Sequence, residues 1–210
     1  DNVELNGNQK KELFALLKND ICGISGTHAA CYIPRHLILF YDENENLRRK
    51  EIWKDGKLNG QRIELENENV QMSSNYVDGE LDGEFIIYGK NKNIIHLIHY
   101  EKGRKNGKEI LYNEAGKVKK ETDYKNNMKY GTEKEYSDDG EILLLEANYV
   151  EGLLHGSYVS FHEDGNRKFE GRAMDGKFHG EAYFYDTNGD LESEVIYEHG
   201  EVARKIEHKK

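Results

Sequence analysis

The sequence predicts a mostly β protein: an elongated, single-sheet antiparallel β-meander of about seven hairpin repeats of ~24 residues, with a short N-terminal helical cap. Three observations lead there. Aromatic residues recur about every twelve positions, two kinds of turn alternate between them, and the segments between turns show the two-residue periodicity of strands.

The anchor positions are Tyr41, Trp53, Leu65, Tyr76, Tyr88, Tyr100, Tyr112, Tyr124, Tyr136, Tyr149, Phe161, Ala173, Tyr185 and Tyr197. Successive anchors are 12 apart, with one interval of 11 and one of 13, and twelve of the 14 are aromatic. In a chain only 10% aromatic, scatter does not produce such a period.

One turn has the form G-x-x-x-G, at Gly56 to Gly60, Gly79 to Gly83, Gly103 to Gly107, Gly152 to Gly156 and Gly176 to Gly180. Asn127 replaces the first glycine ahead of Gly131, and Asn is the next residue after Gly to accept a positive φ. The other turn is polar, as in D-E-N-E-N at 42–46, N-E-A-G at 113–116 and H-E-D-G at 162–165. Positions two before the first-strand anchors are mostly apolar, as in Leu39, Ile63 and Val159. Positions six before the second-strand anchors are too, as in Leu47, Val70 and Leu143. Parity therefore predicts one face that is a continuous aromatic and aliphatic ribbon. The opposite face is mixed, with Glu133 and Glu135 in one repeat, Phe85 and Ile87 in another, and Ala182 and Phe184 in a third.

Three regions follow: residues 1–35 as a cap of helix and Cys-bracketed loop, 36–203 as the repeats, and 204–210 as a charged tail. The segment 8–19 reads as an amphipathic helix, with Leu13, Leu16 and Leu17 in one stripe and Asn8 as N-cap. Cys22 and Cys31 bracket eight residues; a disulfide loop and a pair of reduced thiols both fit that spacing. The chain begins at Asp1 rather than Met, which together with two cysteines able to pair leans toward an exported or cell-envelope protein.

Charged residues make up 33% of the chain, net charge is -10, and there is one proline. Mean hydropathy is -0.91. Such polarity fits a thin sheet, half-exposed to water and held by aromatics. The acidic balance argues against nucleic acid and disfavours an anionic membrane surface. No catalytic or metal constellation stands out. His155 and His179 share a place in successive repeats, where Asn59, Asp82 and Asn106 stand elsewhere, which suits a turn-stabilising role. No cofactor is expected, and the chain does not read as an enzyme.

The pieces W-K-D-G-K-L-N-G at 53–60, Y-V-D-G-E-L-D-G at 76–83, Y-E-K-G-R-K-N-G at 100–107, Y-V-E-G-L-L-H-G at 149–156 and A-M-D-G-K-F-H-G at 173–180 resemble the MORN repeat, in the variant form common in bacterial proteins. The resemblance covers about 36 to 203. It implies a β-hairpin array without catalytic residues, acting as a scaffold or, as in the YwqK type, as an antitoxin-like protein; that last role would place it in the cytoplasm. The leading expectation is thus a protein-binding module using its aromatic sheet surface, with Phe85, Ile87, Tyr158 and Phe184 as candidate contacts. The alternative is a structural or membrane-surface-associated envelope protein.

Overall fold

Among the described residues eight two-residue turns carry positive φ at both positions: Asp55-Gly56, Asp78-Gly79, Lys102-Gly103, Asn126-Asn127, Glu151-Gly152, Asp175-Gly176 and His199-Gly200 at one end of the hairpins, and Asn67-Glu68 at the other. This is the type I′ geometry, whose twist matches that of the strands it joins. The computed structural model in which they are seen describes residues 12–16 and 36–208. It falls into two compact units, one comprising 1–92 with 100–103 and the other 93–99 with 104–210.

The first unit holds β1 (Glu12–Leu16), β2 (His36–Tyr41), β3 (Leu47–Lys54), β4 (Lys57–Glu66), β5 (Asn69–Val77) and β6 (Glu80–Tyr88). Each pairs antiparallel with the next in chain order. β7 (Ile94–Glu101) contributes residues to both units. The second unit continues with β8 (Arg104–Tyr112), β9 (Val118–Lys125), β10 (Met128–Tyr136), β11 (Leu143–Val150), β12 (Leu153–Phe161) and β13 (Arg167–Met174). It ends with β14 (Lys177–Phe178), β15 (Gly180–Tyr185), β16 (Leu191–Glu198) and β17 (Glu201–Glu207). β8 to β17 again pair antiparallel as a meander, with β13 partnering both β14 and β15. The mostly β meander of hairpins is as expected.

The five-residue turn is not. Only the first glycine of each G-x-x-x-G lies in the turn; the second sits inside the following strand, where the register shifts. Gly60 has φ +138, and a Cβ there would meet Ile52 Cβ at 3.1 Å. The second glycine thus permits close approach to the neighbouring strand as well as an unusual backbone.

The single aromatic face is also corrected. A register shift falls immediately before the first-strand anchors, between Phe40 and Tyr41, Glu64 and Leu65, Leu111 and Tyr112, Glu135 and Tyr136, and Ser160 and Phe161. An extra residue on one strand breaks numerical parity. Tyr41 therefore pairs with Leu47 on one face, while His36 pairs with Trp53 on the other. The first-strand anchors and their partners, Leu47, Val70, Val118, Leu143 and Arg167, form the outer face. The second-strand anchors lie on the inner face with Ser74, Thr122, Ala147, Phe169, Ala182 and Val195, all buried. Burial is shallow: Ser74 is the largest side chain below 2% exposure among the described residues.

Hydrogen bonds run from repeat to repeat at both ends of the hairpins. At the I′ end, the second turn residue donates its N–H to the carbonyl two residues past the preceding turn. Gly79 donates to Leu58 (2.8 Å), Asn127 to Lys105 (2.9 Å), Gly152 to Lys129 (2.9 Å), Gly176 to Leu154 (2.9 Å) and Gly200 to Phe178 (2.9 Å). Asn127 adds a reciprocal bond, its Oδ1 accepting from the Lys105 N–H at 2.7 Å. At the other end, Asp42 Oδ1 accepts from Asn44 and Asn46 within its own turn. The Asn46 backbone bond leads in holding its carboxyl at about 2. Neighbouring polar turns are joined by Asn113 Nδ2 to the Asp138 carbonyl (2.9 Å) and Asn166 Nδ2 to the Thr187 carbonyl (2.8 Å).

The expected helix over 8–19 meets a strand where the chain is described: Glu12–Leu16 pairs with β2, Phe14 opposite Ile38. The open edge of β2 offers unpaired backbone groups, which outweighs a modest helical preference. The rest of that segment, and the loop of Cys22 and Cys31, lie outside the described residues. At the other end β17 continues to Glu207, past the boundary drawn at 203.

Gly60→Ala should cost about 2–3 kcal/mol, combining positive φ with the contact to Ile52. Gly56→Ala, at φ +70 with nothing within 4 Å, should cost only about 1 kcal/mol. Urea midpoints measure both, and equal losses would remove the close-approach role from the second glycine.

Candidate functional site

Two residues past the second glycine, each hairpin places one side chain at the middle of the inner face: Arg62, Phe85, Glu109, Glu133, Tyr158 and Ala182. Strand pairing sets these in rows. In the first unit the row runs Ile38, Glu51, Arg62, Ser74, Phe85. In the second it runs Glu109, Thr122, Glu133, Ala147, Tyr158, Gly171. The rows change chemistry along the chain, from ionic to aromatic and back.

Glu133 is the most deeply placed charge of the second unit, 3% exposed. Lys129 Nζ lies 2.5 Å from its Oε2, Lys120 Nζ 3.3 Å, and the Thr122 hydroxyl donates to it at 3.1 Å. Tyr149 donates to the other carboxylate oxygen at 3.3 Å. Burial pushes this carboxyl up, but Lys129 and Lys120 more than offset it, so its pKa falls below the ordinary value. One repeat earlier, Glu109 Oε1 meets Lys105 Nζ at 2.7 Å and His96 Nε2 at 2.8 Å. Burial beside Glu109 pushes the Tyr124 phenol up to about 12. In the first unit, buried Glu51 takes Arg49 at 2.9 Å and the Trp53 indole N–H at 2.8 Å. These carboxylates are neutralised by fixed cations, which leaves them poorly suited to proton transfer.

The candidate contact residues sit on this inner face and are half-buried. Tyr158 packs edge-on against Phe169 at 5.7 Å and Phe178 at 5.5 Å. Phe184 packs against Phe169 at 4.8 Å, and Phe85 against Tyr100 at 6.1 Å. Ile87 pairs across to Met72. Phe184 also borders a cavity of about 470 Å³ with Ser193, Val195, Tyr197, Val202 and Lys205.

The position ahead of the second glycine reaches into the next repeat's turn. Asn59 Nδ2 donates to Asp78 (3.2 Å), Asp82 accepts from the Lys102 N–H (3.2 Å), and His155 lies 3.5 Å from Asp175. His96 and His99 lie on opposite faces, His96 with Glu109 and His99 against Gly107. Among the described residues no group of His, Cys, Asp and Glu could hold a metal ion.

What sequence reasoning missed is on the outer face of the second unit. Tyr149 and Leu154 pair on the inner face, so Val150 and Leu153, which flank the turn between them, project outward. With Met128, Tyr130 and Met174 they form an apolar strip, each between 40% and 51% exposed. The signal was present: the equivalent positions hold Lys54 and Lys57 in an earlier hairpin, so apolar residues there depart from the repeat.

Residues 105–126 and 178–199 match the family profile described as MORN repeat variant. Both matches begin two residues past a turn, so they are in phase with the hairpins, and they support reading the chain as a MORN repeat protein. No curated protein matches the chain.

Two substitutions test the inner face. Tyr158→Ala should destabilise by about 2–3 kcal/mol through lost burial and two ring contacts. Glu133→Gln should cost about 1–3 kcal/mol at neutral pH by weakening the bonds to both lysines. Because the folded pKa is depressed, this stabilisation is complete above the unfolded carboxyl value near about 4.3 and is lost as pH falls through the folded one. The gap between wild type and Glu133→Gln in urea midpoint should therefore narrow with acidification, and a pH-independent gap would contradict it.

Proposed function

We propose that the protein is a non-enzymatic repeat scaffold that binds a protein partner through its extended β-sheet surface. The observation that carries this reading is the outer-face strip, where Leu153 is 51%, Met128 47% and Met174 46% exposed on the face of the sheet. Large apolar side chains grouped on a regular, hydrogen-bonded surface are characteristic of docking sites. Tyr158 lies behind the strip on the inner face of β12, where its contacts with Phe169 and Phe178 hold neighbouring strands together. An antitoxin- or immunity-type partnership, as in the YwqK type, is the specific form that the resemblance implies.

The test is affinity capture from the source cell's lysate with the purified protein as bait, followed by quantification of whatever is retained. A single protein held in stoichiometric amount with nanomolar affinity is the expected result. Nothing captured, together with salt-sensitive binding to phosphatidylserine-containing vesicles, would replace the scaffold reading by a membrane-surface one.

A further inference from the structure

The partner's chemistry is constrained by what surrounds the strip. Met128 and Tyr130 lie on β10, Val150 on β11, Leu153 on β12 and Met174 on β13, all toward the I′ turns. The strip continues over the turn glycines: a Cβ on Gly176 would meet Leu153 Cδ2 at 3.5 Å, and one on Gly152 would meet Met128 Cβ at 4.0 Å. With strands ~4.8 Å apart, it extends ~14 Å across the sheet.

Each end is closed by a cation. Lys125 on β9 and Lys177 on β14 are exposed, and neither makes an ion pair among the described residues. Lys125 Nζ rests 4.9 Å from the centre of the Tyr130 ring, at the margin of the strip. Five strand spacings separate the two lysines, or ~24 Å.

An α-helix laid across the strands fits these dimensions. Its pitch of ~5.4 Å is close to the strand spacing, so one apolar residue per turn would meet one strand, and ~16 residues would reach from lysine to lysine. We infer that the strip docks an amphipathic α-helix of a partner protein, apolar along one face and acidic at both ends. The inference rests on the scaffold reading above. Methionines at two of the five positions suit a surface that adapts to varied apolar side chains. The same outer face bears Glu146 and Glu170 deeper in the sheet, and the net charge is -10, which disfavours an anionic membrane. A second copy placed strip to strip about a two-fold axis would bring Lys125 of one chain toward Lys177 of the other, like against like.

The probe is a synthetic helical peptide of about 18 residues, with leucines along one face and two glutamates at each end. Two controls carry lysines at the ends or the same leucines spread around the helix. Fluorescence anisotropy with the full chain should show the acidic-ended peptide binding about tenfold more tightly than the lysine-ended one. Leu153→Glu should abolish binding without changing the thermal midpoint, since the residue is exposed. The double change Lys125→Glu with Lys177→Glu should invert the preference for peptide ends.

Equal binding of all three peptides, or binding indifferent to Leu153→Glu, overturns the inference. So does self-association in sedimentation that Leu153→Glu suppresses, or vesicle binding that it suppresses while the peptides fail. The two levels separate cleanly: a captured protein that still binds Leu153→Glu removes the helix site but keeps the scaffold, whereas no captured protein removes both.

Discussion

The structure depends on one backbone hydrogen bond repeated down the array, from the second residue of the I′ turns at one end of the hairpins to a carbonyl of the preceding hairpin. That bond requires the turn residue to adopt positive φ, which turns its N–H away from its own hairpin and toward the neighbour's. It is the reason the sequence spends a glycine, or Asn127, at this point in each repeat. A single sheet has no second layer to press its hairpins together, and the described residues bury no large side chain completely. Each ladder bond contributes only about 1 kcal/mol net, but it couples a hairpin to the one before it, and nearest-neighbour coupling is what holds such arrays together. The Asn113 and Asn166 side chains do the same at the opposite end, so the hairpins they join are fixed at two points.

Between those fixed ends the inner face divides into two chemistries, for a geometric reason. The slot two past the second glycine is overhung by residues of the neighbouring strands, so whatever occupies it is at least half removed from water. Aromatics meet that condition by stacking, as in the cluster of Tyr158, Phe169, Phe178 and Phe184. Glutamates meet it only if cations come with them. Glu109 and Glu133 each draw a lysine from four residues back on their own strand, and Lys120 reaches Glu133 from the next strand. These lysines lie beneath second-strand tyrosines: Lys105 Nζ is 4.9 Å from the Tyr124 ring centre, and Lys129 Nζ is 4.6 Å from that of Tyr149. The tyrosine anchors thus serve both chemistries, as ring partners in one part of the array and as covers for an ion pair in another.

Much of this order was legible in the sequence, because period is a property of spacing. The twelve-residue anchor interval gave the strands, and the Asp-Gly and Asn-Asn dipeptides marked the turns. Faces were harder. Parity counting assumes one residue per step, and the extra residues Arg48, Gln71, Lys119, Leu144 and Lys168, on the strands opposite the first-strand anchors, break that assumption. Nothing in D-E-N-E-N or N-E-A-G announces a bulge, since the same residues suit a plain turn. The strand at Glu12–Leu16 was hidden for a different reason: Leu-Phe-Ala-Leu satisfies helix and strand patterns alike, and only an open edge at β2 decides between them. The outer strip was visible as a departure from the repeat, but a departure acquires meaning only once its neighbours on the sheet are known.

The buried carboxylates raise the question of why an array would keep a charge where leucine would fit. Removing Glu133 from water is costly, and ion pairs of this kind contribute little net stability over an apolar substitute. Register supplies the answer. In a sheet of similar hairpins, a one-residue slip exchanges the two faces of a strand with little loss of backbone hydrogen bonds. On β10 such a slip would bring Lys134 inward and turn Glu133 outward. Lys129 would turn outward with Glu133, Lys120 would be left facing Lys134, and Thr122 and Tyr149 would lose their acceptor. Outside, Lys134 would leave Glu146, with which it pairs in register at 3.6 Å. Aromatic slots discriminate less sharply, because an apolar ring exposed by a slip loses area while an unpaired buried cation loses far more. The ionic hairpins therefore fix the alignment that the stacked ones consolidate, and the outer strip inherits its regular spacing from that alignment.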